Sequence, residues 1–161
     1  MERRGNLKIS LADMTKLETV FQNTRETIQQ IYPEYYPKGT VAFFLNYHSR
    51  ERIAEDISYE KVYIIEEKQK CAGTITINNN QIGRLFVLPD YQKQGIGSFL
   101  MEFGEKQIFR KYEFASLDSS LPGKKMYIKR GYKVTKSCSL VTGSGDILYY
   151  EEMSKMTLKV K

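Results

Sequence analysis

Apolar residues in the first third of the chain recur at intervals of three and four positions, the spacing of an amphipathic helix. Ser10 is the expected N-cap of that helix, and Asp13, three residues on, is its expected capping-box partner. A loop with two prolines at residues 32–39 separates it from two shorter helical patterns. The helices predicted in this third of the chain cover residues 11–31, 40–46 and 49–57.

From Lys61 onward the pattern changes to short runs of apolar and β-branched residues, which are typical of strands. Three asparagines at residues 78–80 indicate a tight turn, so the strands in the middle of the chain are expected to form an antiparallel meander. Helical spacing returns after Pro89, and a turn at residues 142–146 joins the last two strands as a hairpin. The predicted strands cover residues 62–65, 71–77, 82–87, 113–117, 132–140 and 147–153, and the predicted helices cover 95–109 and 124–130.

The order of these elements predicts one mixed α/β (α+β) domain over residues 1–161, in which helices flank a central, mostly antiparallel sheet. With 161 residues, of which 41% are hydrophobic, the chain can build one continuous core. No apolar run approaches the length of a membrane span, and the residues after Met1 do not resemble a secretory signal. We therefore expect a cytoplasmic protein without a membrane partner.

Charge and cysteine content narrow the possible ligands only partly. The net charge of +6 favours an anionic partner, which leaves open nucleic acid, a membrane surface and a phosphorylated small molecule. Cys71 and Cys138 lie far apart in sequence, and no cluster of histidines accompanies them. We therefore expect no metal site.

A loop with two glycines between a predicted strand and a predicted helix is the most informative stretch. Unpaired N–H groups converge where such a helix begins, and Gly95 and Gly97 leave room for an anion to approach them. No lysine lies between Gly97 and Ser98, which excludes a P-loop. A dinucleotide fingerprint would need a third glycine near Leu100, and none is present. The loop therefore predicts a phosphate site of another kind.

Two segments carry a resemblance to a known family. The pattern Val87-x-Pro89-x-Tyr91-Gln92-x-x-Gly95-x-Gly97 resembles the Arg/Gln-x-x-Gly-x-Gly/Ala signature of the GCN5-related N-acetyltransferases (GNAT). Further on, Tyr127-x-x-x-Gly131-Tyr132 is similar to the family's Tyr-x-x-x-Gly-Phe/Tyr ending. The resemblance covers roughly residues 61–153.

This resemblance implies the acyl-CoA N-acyltransferase fold and an enzyme that uses acetyl-CoA. A primary amine on a small molecule or a peptide would attack the thioester directly in a ternary complex, and Tyr127 would act as general acid to the departing thiolate. The backbone at residues 85–87 would pair with the pantetheine arm, and residues 92–97 would hold the pyrophosphate. Ser120 stands where the family commonly has an asparagine. The cofactor-binding residues implied are Leu85, Phe86, Val87, Gln92, Lys93, Gln94, Gly95, Ile96, Gly97, Ser98 and Ser120.

The residue that deprotonates the amine is left open. Gln81 stands where the family often has a glutamate, and a neutral amide cannot act as a base. Glu66, Glu67, Asp118 and a water relay remain as alternatives. Because that glutamate is missing, an alternative function also remains open: a non-catalytic CoA-binding sensor or a nucleic-acid-binding module on the same fold.

Three surface features have alternative interpretations. The tyrosines of the proline loop, Tyr32, Tyr35 and Tyr36, either line an acceptor pocket or pack over the sheet. His48 is interpreted as a solvated loop residue. The strand with Tyr149 and the hairpin before it present an edge or an apolar patch that would suit a homodimer.

Overall fold

Eight strands form one sheet in the order β1-β2-β3-β4-β5-β6-β8-β7, and the computed structural model describes residues 1–158 of the chain. Neighbouring strands are antiparallel except β5 and β6, which run parallel. The prediction of a mixed, mostly antiparallel sheet flanked by helices is confirmed. The strands are β1 (Glu2–Arg4), β2 (Leu7–Leu11), β3 (Val62–Glu67), β4 (Lys70–Asn78), β5 (Gln81–Val87), β6 (Phe114–Ser119), β7 (Lys133–Val141) and β8 (Ile147–Met156). The helices are α1 (Leu17–Ile31), α2 (Lys38–Tyr47), α3 (Arg50–Ser58), α4 (Ile96–Ile108) and α5 (Lys124–Lys129).

The N-terminal segment differs from the prediction of a helix over residues 11–31. Residues 7–11 form strand β2, which pairs with β1 and β3, and α1 begins only at Leu17. Ser10 therefore lies in a strand opposite Ile64 and caps no helix, while the side chain of Asp13 accepts a hydrogen bond from the Thr15 N–H at the start of a 3-10 turn. The apolar spacing after residue 11 fits a helix, but pairing with β3 decides the conformation of the residues up to Leu11.

Helices cover both faces of the sheet because side chains alternate along the strands. On β3, Ile65 packs in the main core cluster with Phe99 and Leu100 of α4. The neighbouring Ile64 points to the other face and joins Val20 of α1 in a second cluster. The sheet is thus buried between α4 on one side and α1 with α3 on the other.

No helix among residues 1–158 is long and apolar enough to cross a bilayer.

Candidate active site

The parallel strands β5 and β6 separate after a short contact, and this separation opens a cleft. Their pairing is limited to Gln81 with Ser116 and Ile82 with Leu117, although β5 continues to Val87. On its other side β5 stays paired with β4 as far as Val87. A cavity of about 350 Å³ lies along the cleft, between the open side of β5, the end of β6 and helix α2.

A bulge in β5 changes the direction of the strand beside this cavity. Thr74 of β4 lies opposite Phe86 and Thr76 opposite Gly83, so β5 has one residue more than β4 between these pairs. Arg84 in this bulge has a left-handed backbone with φ of 45°. Bulges bend a strand and turn its side chains, and here Arg84, Leu85 and Phe86 line the cavity.

The loop before α4 and the first turn of the helix, residues 92–98 and here called the cradle, are where the sequence predicts an anion site. The first hydrogen bond of the helix runs from Phe99 N–H to Gly95 O at 3.0 Å, so the amides of residues 96–98 lie ahead of it at the helix N-terminus. Gly95 has φ of 80°, a conformation that favours glycine, and a Cβ added there would meet no atom within 4 Å. Free amides at a helix N-terminus beside an unobstructed glycine are the kind of groups that bind phosphate.

The cradle is fastened to the end of β5. Gln92 Nε2 donates to the carbonyl oxygen of Val87 at 2.9 Å, and Gln94 Nε2 donates to that of Asp90 at 3.1 Å. The amide side chains of Gln92 and Gln94 therefore hold the loop itself, while Lys93 is exposed at its rim. The loop is thus tied to the end of β5 through Gln92.

Tyr127 of α5 lines the cavity, and its ring is buried. The ring packs against Gly123, where an added Cβ would lie 2.7 Å from Tyr127 Cε2, and against Tyr132 at a centroid distance of 6.1 Å. Its hydroxyl makes no hydrogen bond with any residue in 1–158, and Tyr127 lines the cavity. Burial raises the pKa of Tyr127 to about 12, so the phenol stays protonated at neutral pH.

The proline loop after α1 closes one end of the cavity. Tyr32 lines the cavity and contacts Ser120, while the Tyr36 hydroxyl accepts a hydrogen bond from Leu121 N–H at 2.8 Å. Tyr35 is 47% exposed and lies outside the cavity lining. The three tyrosines therefore divide between the two interpretations, with Tyr32 in the cavity wall and Tyr36 fastening the loop at residues 120–123.

The candidate bases are distributed unevenly around the molecule. Asp118 lines the cavity, and its pKa is raised by partial desolvation and by the negative charge of Glu152. Glu66 and Glu67 lie on β3, where Glu66 pairs with Lys16, and neither carboxylate lines the cavity. Asp118 and Gln81 thus both line the cavity, and the other two carboxylates lie outside it.

The interpretation of His48 as a solvated loop residue is wrong. Its ring lies 5.4 Å from that of Phe86 in a T-shaped contact and lines the cavity. Burial, together with the positive charges of Arg84 and Arg52, lowers the pKa of His48 to about 3. No periodicity in the sequence indicated this position, because His48 follows the last residue of α2 and reaches Phe86 only through the fold.

A protein-family model matches most of the chain. The model of the acetyltransferase (GNAT) domain matches residues 31–146. No curated protein matched the chain.

Solved structures of similar fold cover nearly the whole chain. A GCN5-related N-acetyltransferase from Rhodopseudomonas palustris matches with a TM-score of 0.86 at 18% identity, over 98% of this chain and 99% of that one. The paiA N-acetyltransferase from Thermoplasma acidophilum in complex with coenzyme A gives 0.73 at 22% identity, over 94% and 99%. The putative acetyltransferase yncA from Salmonella typhimurium, with its cofactor acetyl-CoA, gives 0.67 at 14% identity, over 97% and 96%.

The family match spans well over half of the chain and contains both segments that carried the resemblance. The predictions of the N-acyltransferase fold and of an acyltransferase are confirmed. The chain belongs to the acetyltransferase (GNAT) family.

Proposed function

We propose that this protein is an N-acetyltransferase that moves the acetyl group of acetyl-CoA to a primary amine by direct attack in a ternary complex. The observation that carries the proposal is the cleft beside β5. The open side of β5 and Tyr127 line it, and the cradle follows the end of β5, where a Cβ added to Gly97 would lie 3.8 Å from Val87 Cγ2. Acetyl-CoA supplies a thioester, an acyl group already activated for attack by an amine.

The backbone of β5 and the cradle would hold the cofactor. Leu88 N–H donates to Ala72 O on β4, and the alternation of an antiparallel ladder turns the N–H of the preceding Val87 toward the cleft. That N–H would bind the thioester oxygen as it gains charge, an interaction often worth about 3 kcal/mol. The amides of residues 92–98 would bind the pyrophosphate, Leu85 and Phe86 would flank the pantetheine arm, and Ser120 would add a polar contact.

Tyr127 is assigned as the general acid that protonates the departing sulfur. Its pKa of about 12 lies above the ordinary thiol value of about 8.5, so complete proton transfer to a thiolate is unfavourable by roughly 5 kcal/mol on bulk values. A thiolate in the same dry cleft is itself harder to form, which narrows that gap. Tyr127 therefore stabilises the sulfur first as a hydrogen-bond donor and completes the transfer as the C–S bond breaks.

Asp118 is the proposed base, because it is the only one of the three candidate carboxylates that lines the cavity. It acts directly on the ammonium or through a water. Its carboxylate must be ionised, so the rate falls as pH drops through its raised pKa. Asp118→Asn should lower kcat about 100-fold and leave acetyl-CoA affinity unchanged. A variant that keeps both its rate and its acid limb would exclude Asp118.

Calorimetric titration with acetyl-CoA, followed by a thiol-release assay against a panel of amines, tests the whole proposal. Binding with turnover supports the enzyme. Tight binding without turnover on any amine supports the rival CoA sensor, which the neutral Gln81 favours. Salt-sensitive retention on DNA without acetyl-CoA binding supports the nucleic-acid module.

The same proposal includes a cytoplasmic homodimer. Strand β7 forms one edge of the sheet, and the hairpin carries large exposed apolar side chains on Val141, Ile147 and Tyr149. Such an edge and patch suit a second copy of the chain. Gel filtration with light scattering checks this, and a monomer at all concentrations would contradict it.

A further inference from the structure

Arg84 occupies a backbone position that arginine rarely adopts. Its φ of 45° lies in the left-handed region, at the bulge of β5. The neighbouring Gly83, which would tolerate that conformation without strain, has no positive φ. Strained residues of this kind persist where the surrounding structure fixes them, and they are concentrated at functional sites. The strained backbone at Arg84 therefore indicates a functional role for its guanidinium group.

Three of the five N–H groups of this guanidinium are used within the protein. Nη1 donates to Asp56 Oδ2 at 3.0 Å and to Thr76 Oγ1 at 3.1 Å, and Nε donates to His48 Nδ1 at 3.4 Å. These contacts come from three different elements, so they fix the plane of the group. The two N–H groups of Nη2 remain, and no residue in 1–158 accepts a hydrogen bond from them.

The free Nη2 faces the cavity. The Arg84 side chain is only 7% exposed and lines the cavity, yet Nη2 is not among the fully buried atoms that lack a partner. Its remaining accessible surface is therefore assigned to the cavity, whose lining also includes Phe43 and Tyr47. Two directed donors in a mostly apolar wall are costly to leave unpaired when a ligand displaces water from them.

The same cavity offers a carboxylate at another part of its wall. Asp56 neutralises Arg84 through their ion pair, whereas Asp118 of β6 adds a negative charge without a cation bonded to it in the described part of the chain. An ammonium group is attracted to Asp118. The donors at Arg84 require an oxygen atom. The lining thus matches an acceptor molecule that carries both an ammonium group and an oxygen hydrogen-bond acceptor.

We propose that Arg84 determines acceptor specificity, and that the acetylated amine carries an oxygen hydrogen-bond acceptor, a carboxylate or an amide carbonyl, which binds Arg84 Nη2. The inference rests on the proposed N-acetyltransferase function and narrows its substrates. Amino acids, their amides and peptides fit. Simple alkylamines and diamines leave the Nη2 donors unpaired, and sites built around a hydrogen bond discriminate strongly against ligands that lack it.

Matched amines test the proposal through kcat/KM in the thiol-release assay. One set is lysine, lysinamide and 1,5-diaminopentane, and the other is alanine, alaninamide and ethylamine. In each set we expect the best oxygen-bearing member to exceed the plain amine at least tenfold. The ratio of amino acid to amide then distinguishes a carboxylate from a carbonyl. A plain amine used as well as both partners would overturn the proposal.

Arg84→Lys is the informative variant, because it keeps a cation beside Asp56 and removes the fork that carries Nη2. We expect the preference within each set to fall below threefold, with acetyl-CoA affinity close to wild type. Arg52→Lys is the matched control, since Arg52 lies over the Tyr47 ring at 4.5 Å but does not line the cavity, and it should retain the preference. Retention of the preference in Arg84→Lys would also overturn the assignment.

Failure of the proposed function is distinguishable from failure of this inference. If no amine is acetylated, calorimetry of lysine and alaninamide with the CoA-bound protein still measures the contact. Binding that weakens at least tenfold in Arg84→Lys supports the site. Absence of binding, or equal binding to both proteins, contradicts it.

Discussion

Replacement of Tyr127 by phenylalanine removes one oxygen atom from the cleft and leaves the ring in place. The ring is 8% exposed and packs against Gly123 and Tyr132, contacts that phenylalanine preserves. The hydroxyl bonds to no residue in 1–158, so the free energy of unfolding should change by less than about 1 kcal/mol. Any large effect on rate is then chemical rather than structural.

The magnitude follows from the pKa of the phenol. General acids contribute about 10²- to 10⁴-fold to a rate, and efficiency is best when the pKa lies near the working pH. Because burial raises the pKa of Tyr127 to about 12, we expect the lower end, a fall in kcat of about 100-fold, or roughly 2.7 kcal/mol. Acetyl-CoA affinity measured by calorimetry should change less than twofold.

Tyr132→Phe is the matched control for this experiment. Tyr132 is 2% exposed, and its hydroxyl is buried beside Glu105. It contacts the Tyr127 ring but does not line the cavity, so its removal should leave kcat within twofold of wild type. Equal rates for wild type and Tyr127→Phe would refute the role of Tyr127, and equal losses in both variants would indicate a packing effect.

Three further predictions concern the cradle, the buried histidine and the contact between α4 and β8. Gly95→Val should weaken acetyl-CoA binding at least tenfold by filling the space before the amides. Gly5→Val is the control, because Gly5 also has a left-handed φ, of 57°, and equally open surroundings, and it should leave the affinity unchanged. Equal affinities of Gly95→Val and wild type would contradict the cradle. The unfolded state takes up a proton on His48 near pH 6.5 and the native state only near pH 3, so stability should fall as pH drops between these values, by at most roughly 5 kcal/mol. Urea unfolding at pH 7 and pH 4 measures this loss, and a His48→Gln variant with an undiminished loss would refute it. Burial opposes ionisation of Glu105, but hydrogen bonds and charges from Arg130 and Lys155 outweigh burial and lower its pKa. Glu105→Gln should therefore cost about 3 kcal/mol of stability in denaturant titration at pH 7. A loss below about 1 kcal/mol would show that the buried charge is unimportant.

Local patterns predicted most elements within a few residues. The asparagine turn at residues 78–80 joins β4 and β5, and the apolar spacing of α4 faces the main core. The first strands were missed because Leu7–Leu11 is too short to be distinguished from the start of a helix until β3 pairs with it. Pairing across about fifty residues leaves no local signal.

The residues of the candidate site fall into the same two groups, those predictable from the local sequence and those that only the fold brings together. The cradle was predictable because one short loop contains all of its parts, namely a strand end, a glycine with a left-handed backbone and a helix start. Arg84, His48 and Asp56 were not predictable as a group, since a bulge in β5 and the junction of α2 with α3 bring them together. The choice of Asp118 among three carboxylates likewise required knowledge of which strand borders the cleft.

The sequence by itself determined the fold class and the family, and it located the glycine loop and Tyr127 as candidate site residues, because each depends on residues close together in the chain. Only the tertiary structure decided where β5 and β6 separate, which carboxylate faces the cleft and where Arg84 points. The physical reason is that these features depend on the register between distant strands. A change of one residue in that register turns every side chain to the other face.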